Sequence, residues 1–427
     1  MLSHKNSLLF IALIFSQASI AEETLQQAFV EALNQNQRIL AAKANSQAAE
    51  QQLFAAQGQR LPQLNVRGGY TQLSETPTAQ TVLTGQEQMA QFPVGEAGSG
   101  NAQAIISMPV FTSGRISHSI EAAEASKQAT ELNETTTALN IKLQVANAFI
   151  AIFRAEKALQ VAESHVKSLK AHAKDVNNLY QQGMVARNDL LASQVRLSNA
   201  KQNVLQQENR LNIAKAHFNQ LLNRELTTDV NLREQFPEIP QGDFATLSQE
   251  ALIKRPELSA LTLQAHAFEQ QAASEKARLW PQVKVSGGYQ YEQNRYQTYE
   301  GMWMANATVE WKIYDGSTAH RSDALNHQAL ALNAQRNDLV STIQLQVRQA
   351  WLDLQETQQR VQVAQAAISQ ADENLKVSTE RYQQGLATNT EVLDAEDLRT
   401  QSYDNFNNAR YDTAMANLNL RRALGIL

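Results

Sequence analysis

Two stretches of this 427-residue chain, 115–182 and 317–384, each run 68 residues without a proline or a glycine. Helices in globular domains usually span about 8–20 residues. At about 1.5 Å per residue, runs this long describe rods of about 100 Å, a poor match to a compact enzyme. Within the first rod the apolar positions step by four and three without a miss, from Ile141 through Val145, Ala148, Ile152, Ala155, Leu159, Ala162, Val166, Leu169, Ala173 and Val176 to Tyr180. A mean step of about 3.5 residues is the coiled-coil period and implies a left-handed supercoil. The second rod repeats the seam from Ile343 through Val347, Ala350, Leu354, Val361, Ala364, Ile368, Ala371 and Leu375 to Tyr382, with Thr357 and Ser378 as polar exceptions.

The rods belong to a tandem duplication. At an offset of 219, Glu50-Gln51-Gln52 falls on Glu269-Gln270-Gln271, and Gly68-Gly69-Tyr70 on Gly287-Gly288-Tyr289. At an offset of 202, residues 141–183 align with 343–385 without a gap and share 13 identities in 43 positions, both blocks ending on Tyr-Gln-Gln-Gly. Chance would give about 3. The shrinking offset places extra residues in the first half between Tyr70 and Val110, where Pro77, Gly85, Pro93, Gly95, Gly98 and Gly100 give the composition of a loop. Residues 224–245, with Pro237, Pro240 and Gly242, read as a linker between a first repeat, 22–223, and a second, 246–427.

After Gly183 the pattern resumes at Leu190, Leu197, Val204, Leu211 and Phe218; after Gly385 it resumes at Ala395, Ser402, Ala409, Ala416 and Ala423. Each rod therefore turns at its glycine and comes back as an antiparallel helix, over 187–223 and 388–424. These returns cover about half of each rod, and the helical segments 24–58 and 246–278 have the length to cover the rest. Four segments alternate as strands do, at about 61–73, 102–112, 280–293 and 302–314. Leu64, Val66 and Tyr70 share one face, as do Ala104, Ile106, Met108 and Val110, then Val283, Val285, Tyr289 and Tyr291, then Trp303, Ala305, Ala307, Val309, Trp311 and Ile313. Such strands suit a membrane barrel, and they equally suit a small soluble sheet packed on helices. Four strands cannot close, since the smallest barrels have about eight, so a barrel would be shared between chains.

Residues 1–21 have the form of a secretory signal, with basic His4-Lys5, an apolar run from Leu8 to Phe15, and small Ser19 and Ala21. The absence of cysteine excludes disulfides, thiolate metal sites and an acylated-cysteine anchor. A net charge of −5 is unsuited to nucleic acid. The histidine pairs His165/His172 and His320/His327 are spaced seven apart, two turns along one helix face, and read as solvated surface rather than a metal site. No phosphate loop, zinc-protease helix or nucleophile elbow occurs, so neither a cofactor nor an enzymatic activity is expected.

The doubled order of helix, two strands, long helix, glycine tip and return helix resembles the TolC-type outer-membrane channel family over essentially the whole mature chain. The most specific pieces are Tyr382-Gln383-Gln384-Gly385-Leu386, then Glu391-Val392-Leu393-Asp394-Ala395, and the closing Ala423-Leu424-Gly425. The resemblance implies an α+β membrane protein: a homotrimer with four transmembrane strands per chain, one 12-stranded β-barrel in the outer membrane of a Gram-negative bacterium, and a periplasmic α-barrel. It implies that Glu391 and Asp394 ring a constriction at the periplasmic entrance. Residues Thr388 to Glu391 also fit a capping box, and the two roles are compatible. It implies a closing link between Tyr382 and Asp189, although the family's arginine position is Ala387 here and Arg187 lies in the other repeat. Asp189 is also an ordinary helix-start residue. The tips Gly183-Met184 and Gly385-Leu386 resemble the sites where periplasmic adaptor (membrane fusion) proteins dock; a simple turn with an incidental apolar neighbour remains the alternative.

The expected function is a passive exit duct of a tripartite efflux pump or a type I secretion system, opened by an adaptor that links it to an inner-membrane pump. The rival is a non-channel periplasmic coiled-coil protein such as the adaptor itself. An adaptor would normally carry one hairpin, and the duplication with paired Gly-Gly-Tyr strands argues against it.

Overall fold

The structure, a computed structural model, describes residues 22–82 and 89–427; the signal segment expected at 1–21 lies outside the described residues. In chain order it contains helices α1 (Leu25–Gln35) and α2 (Gln37–Gly58), then strands β1 (Gln63–Gln72), β2 (Thr78–Val82), β3 (Met89–Pro93) and β4 (Gly98–Phe111). Helices α3 (Arg115–Gln181), α4 (Arg187–Leu221), α5 (Phe244–Lys254) and α6 (Pro256–Lys276) follow, then strands β5 (Gln282–Glu292) and β6 (Gly301–Glu310) and helices α7 (Thr318–Gln383) and α8 (Asn389–Ala423). α3 and α7 run unbroken for 67 and 66 residues, as chains without helix breakers can.

The shorter helical segments are each interrupted once, at Asn36 and at Arg255, which are equivalent positions of the two repeats. In the second repeat Pro256 withholds a backbone donor and starts a new helix. In the first, Asn36 does the same work without proline: its Nδ2 donates to the Leu221 carbonyl at 2.8 Å and its Oδ1 accepts the Arg38 N–H at 3.0 Å. Equivalent breaks reached by different chemistry show that the bend belongs to the repeat.

The chain forms two units. One comprises the described residues up to Leu40 together with Ala138–Lys254 and Leu345–Leu427. Its core gathers Phe29 and Ile39 from the N-terminal helices, Ile141, Val145, Phe149, Ile152 and Phe153 from α3, Phe218 from α4, and Tyr411 and Leu418 from α8. Phe149 meets Phe153 edge-on at 5.3 Å, and Tyr411 stacks on Phe153 at 6.3 Å. Burial at both seam and flanking positions makes this more than a two-helix coiled coil. The 224–245 segment is fastened along this core: Arg233 N–H reaches the Glu23 carbonyl at 2.9 Å, and Asn417 Nδ2 donates to the Pro237 carbonyl at 2.6 Å.

The other unit comprises Ala41–Thr137 and Arg255–Gln344. There α2 and α6 cover the long helices, through Ser46 Oγ to Glu134 (2.6 Å), His118 Nδ1 with Gln270 (2.7 Å) and Ser322 Oγ to the Ala272 carbonyl (3.0 Å). The sheet has the order β1-β4-β5-β6, all antiparallel. Its register lines up Val66, Ala104, Tyr289 and Trp303 on one face, and Gln63, Ser107, Ser286 and Asn306 on the other. Tyr289 and Trp303 meet edge-on at 5.4 Å.

Three details depart from the sequence expectation. The interval expected as loop holds a hairpin of β2 and β3, paired from Thr78–Pro93 to Val82–Met89, and β4 begins at Gly98 rather than near 102. β4 bulges between Pro109 and Phe111, because Pro109 has no N–H for the ladder, so Val110 drops out of the register. β6 ends at Glu310, leaving Trp311 and Ile313 beyond the strand; Asp315 turns the chain there by accepting the Ser317 N–H at 2.9 Å and the Thr318 hydroxyl at 2.9 Å.

At Gly288 a Cβ would overlap the Ala104 carbonyl oxygen of the neighbouring strand, whereas at Gly68 the nearest atom would be 3.8 Å away. Gly288→Ala should therefore force β4 and β5 apart and abolish stable protein in membrane fractions. Gly68→Ala should accumulate normally, as immunoblotting of the two variants would show.

Candidate functional site

Both helical hairpins turn through the same backbone device. Gly183 and Gly385 have φ of +73° and +74°, in the left-handed region where a side chain is strained. Behind each glycine two reversed hydrogen bonds close the helix: Gly183 N–H to Tyr180 and Met184 N–H to Leu179, both 2.9 Å, then Gly385 N–H to Tyr382 (2.9 Å) and Leu386 N–H to Arg381 (2.8 Å). This is the Schellman arrangement. It leaves Met184 and Leu386 about two-thirds exposed at the apex of each tip.

The return helices start differently. Thr388 caps α8 with a full capping box: Glu391 N–H donates to Thr388 Oγ1 at 3.3 Å, and the Glu391 carboxylate accepts the Thr388 N–H at 3.0 Å. Those bonds hold the Glu391 carboxyl below the usual glutamate range. Asp189 is the positional counterpart of Glu391 in the first repeat, but its helix begins at Ala186, which has no side chain to cap with. Asp394 lies exposed one turn into α8.

Tyr180 and Tyr382 occupy the same place in the two repeats and have opposite environments, 38% and 6% exposed. Tyr382 packs with Val176, Val392, Leu179 and Leu190, with its ring 5.4 Å from that of His172. Its hydroxyl is buried without a hydrogen-bond partner, and burial, then the nearby Asp189, push its pKa up. Tyr382 and Asp189 are thus neighbours that do not bond within the chain. Ala387 stands where the family's arginine would be, and the nearby Arg381 donates from Nη2 to the Leu386 carbonyl at 3.2 Å and so stays on its own tip.

The link between hairpins is made by Asn389 and Glu396 with two histidines that the sequence reading left at the surface. His172 Nε2 lies 2.7 Å from Asn389 Oδ1, and Asn389 Nδ2 donates to the Asp189 carbonyl at 3.3 Å. Asn389 at the start of α8 therefore joins α3 to α4. Two turns further along, Glu396 is only 2% exposed and accepts the Ser168 hydroxyl at 2.8 Å beside His165 Nδ1 at 3.3 Å. Asp397 pairs with Arg196 of α4 at 3.2 Å, and Arg399 with Asp372 of α7 at 2.7 Å. The expectation that His165 and His172 are solvated is thus corrected: both face partners on α8. Their heptad spacing beside the seam was the available signal.

The sequence matches the outer membrane efflux protein family over residues 28–224 and 247–426, and the chain belongs to that family. The two matched blocks are the two repeats, and the protein is an outer-membrane exit duct. Its fold is similar to that of the outer membrane protein VceC of Vibrio cholerae, at 17% identity and a TM-score of 0.78 over 94% of this chain and 96% of that one. It is also similar to the Campylobacter jejuni CmeC outer membrane channel (15%, 0.78, 94% and 85%). The open state of the Neisseria gonorrhoeae MtrE outer membrane channel gives 20% identity and a TM-score of 0.75 over 94% and 88%. No curated protein matches the sequence significantly.

Asn389→Ala removes the two bonds that Asn389 makes to the other hairpin and should destabilise the tips by about 1–3 kcal/mol, read as faster amide exchange at residues 176–190 and 385–393. The Glu391 cap has a definite pH signature. Its carboxyl is depressed in the folded state, so the cap is complete above the ordinary glutamate range and is lost as pH falls through the lowered value. Protection of the Thr388 amide should fall over that acidic window in the wild type, and in Glu391→Ala should already be low at neutral pH.

Proposed function

We propose that the chain works as a homotrimer in which three copies of the sheet close one 12-stranded barrel across the outer membrane, while the helices line a periplasmic α-barrel. The observation that carries this is the pair of open edges on β1 and β6, which have no partner strand among the described residues. The four strands alternate in direction, so β6 of one copy meets β1 of the next antiparallel and the pattern continues without a fault. The apolar face supports a lipid contact, with Val66 75% and Trp303 81% exposed. Exposed Leu191, Val195, Leu205 and Ile213 on α4, and Leu345, Leu352 and Val363 on α7, support helix contacts between copies.

On this reading Met184 and Leu386, raised on their glycine turns, are the contacts for a periplasmic adaptor, which connects the duct to an inner-membrane pump. Glu391 and Asp394, exposed on the first turns of α8, ring the entrance in three copies and favour cations. Tyr382 and Asp189, beside the Asn389 bonds to His172 and to the Asp189 carbonyl, hold the entrance until an adaptor spreads the hairpins. The duct is passive and catalyses no reaction; energy and choice of cargo come from the pump. Small toxic molecules are the proposed cargo.

Deleting the gene should raise accumulation of a fluorescent efflux dye, with a plasmid copy restoring the low level; unchanged accumulation would favour protein secretion as the role. In single-channel recordings, Glu391→Gln with Asp394→Asn should weaken block by multivalent cations by about ten-fold, as expected for losing about 1.4 kcal/mol of attraction. Unchanged block would remove both residues from the constriction.

A further inference from the structure

The polar face of the sheet ends, where β4, β5 and β6 approach the start of α3, in a cavity of about 360 Å³ lined by Arg115, Arg278, Lys284 and Lys312 with Gln282 and Glu310. Four cations against one carboxylate concentrate positive charge here in a chain whose net charge is −5. Lys284 sits between Pro109 and Thr308 in the ladder, and Gln282 lies opposite Glu310, so the cluster is set by sheet register. Arg278 already has a partner, its Nε 3.0 Å from Glu275. Arg115, Lys284 and Lys312 form no ion pair with any described residue.

Arg115 is half-buried and aimed. Gln282 directs its amide NH2 at the carbonyls of Thr112, Ala277 and Trp280, at 3.1, 3.1 and 3.2 Å. Its Oε1 is thereby turned to Arg115 Nε, at 3.4 Å. Ser274 Oγ holds the Arg115 carbonyl at 2.9 Å. The two terminal guanidinium nitrogens are left without a protein acceptor among the described residues. Burial and the neighbouring Arg278 both disfavour the charge and push the Arg115 pKa down. A fixed guanidinium fork with unfilled donors, flanked by two unpaired ammonium groups, matches the geometry and charge of a tetrahedral oxyanion.

We propose that this cavity is an oxyanion site that takes a phosphate group, held by the Arg115 fork and by Lys284 and Lys312 as point charges. Two sources present that chemistry: a phosphorylated solute inside the duct and the headgroup of an anionic phospholipid. The site lies within one unit of one chain and does not depend on the trimer; only its access from a lumen rests on that reading.

Calorimetric titration of inorganic pyrophosphate into the full-length protein in zwitterionic detergent tests it. Binding is expected, weakened about ten-fold or more in Arg115→Gln and in Lys284→Gln, the loss of one charge-assisted contact, and restored in Lys284→Arg. Lys284 is exposed, so its substitution leaves the fold intact and keeps the test decisive even if Arg115→Gln lowers the yield of folded protein. Micelles doped with phosphatidylglycerol separate the sources: competition assigns the site to headgroups, and unchanged affinity assigns it to soluble anions. Equal binding in wild type and both glutamine variants overturns the proposal. So does the absence of both pyrophosphate binding and retained phosphatidylglycerol in the wild type. Protein that conducts ions but binds neither pyrophosphate nor phosphatidylglycerol rejects this site alone and leaves the duct standing.

Discussion

A helix of 67 residues gains little from its own propensity and persists only if its apolar seam is covered along its length. That constraint organises the chain. In one unit the seam of α3 is closed by α1, α4 and α8, with Phe149, Phe153, Phe218 and Tyr411 filling the space between them. In the other, α2 and α6 take over, using hydroxyl and amide bonds such as Ser46 to Glu134 rather than large side chains. The return helices are only 35 residues long, so each repeat needs an additional helical segment to cover what they leave. The break at Asn36 and its counterpart at Arg255 fall within those additional segments.

Duplication gives two hairpins of one design that have diverged at their tips. Tyr382 is buried against His172 while Tyr180 stays open; Thr388 caps one return helix while Ala186 leaves the other uncapped. Helix α8 makes the ties: Asn389 reaches α3 and α4, Glu396 reaches α3, Asp397 reaches α4, and Arg399 reaches α7. Further along α8, Thr400 reaches His165, Asp412 accepts Arg154 of α3 and Arg360 of α7, and Arg422 donates to Asn140. A partner that displaces the start of α8 therefore breaks the Asn389, Glu396 and Asp397 links while those at Asp412 and Arg422 hold the far end in place.

The long helices, the alternating strands and the glycine tips were legible because they depend on local signals: missing breakers, periods of 3.5 and 2, and a left-handed turn residue. The hydrogen-bond partners were not. His172 and Asn389 are 217 residues apart, and His165 and Glu396 are 231 apart, so no window of sequence holds both members. The β2–β3 hairpin was hidden for another reason: its strands are five residues long and lie among prolines and glycines. Pro109 illustrates a third limit, since its alternation looked continuous while the missing N–H shifted the register beyond it. Of the candidate site, the capping box at Thr388 and Glu391 was readable residue by residue, but the bonds from Asn389 to His172 and Asp189 were not.

The open sheet edges connect folding to assembly. A single chain presents two unpaired strand edges and an apolar face carrying Trp303, Val66 and Tyr70, a surface that water does not tolerate and that would pair indiscriminately. On the trimeric reading, closure satisfies the edges and the bilayer satisfies the face in one event. Neither step is favourable alone, because an inserted open sheet exposes backbone polar groups to lipid and a closed barrel in water exposes its aromatic face. The glycines within the sheet belong to the same logic. Gly288 lets β4 and β5 approach across the Ala104 carbonyl, a contact that every added side chain would obstruct and that, on the trimeric reading, twelve strands in a closed ring could not absorb by splaying at an edge.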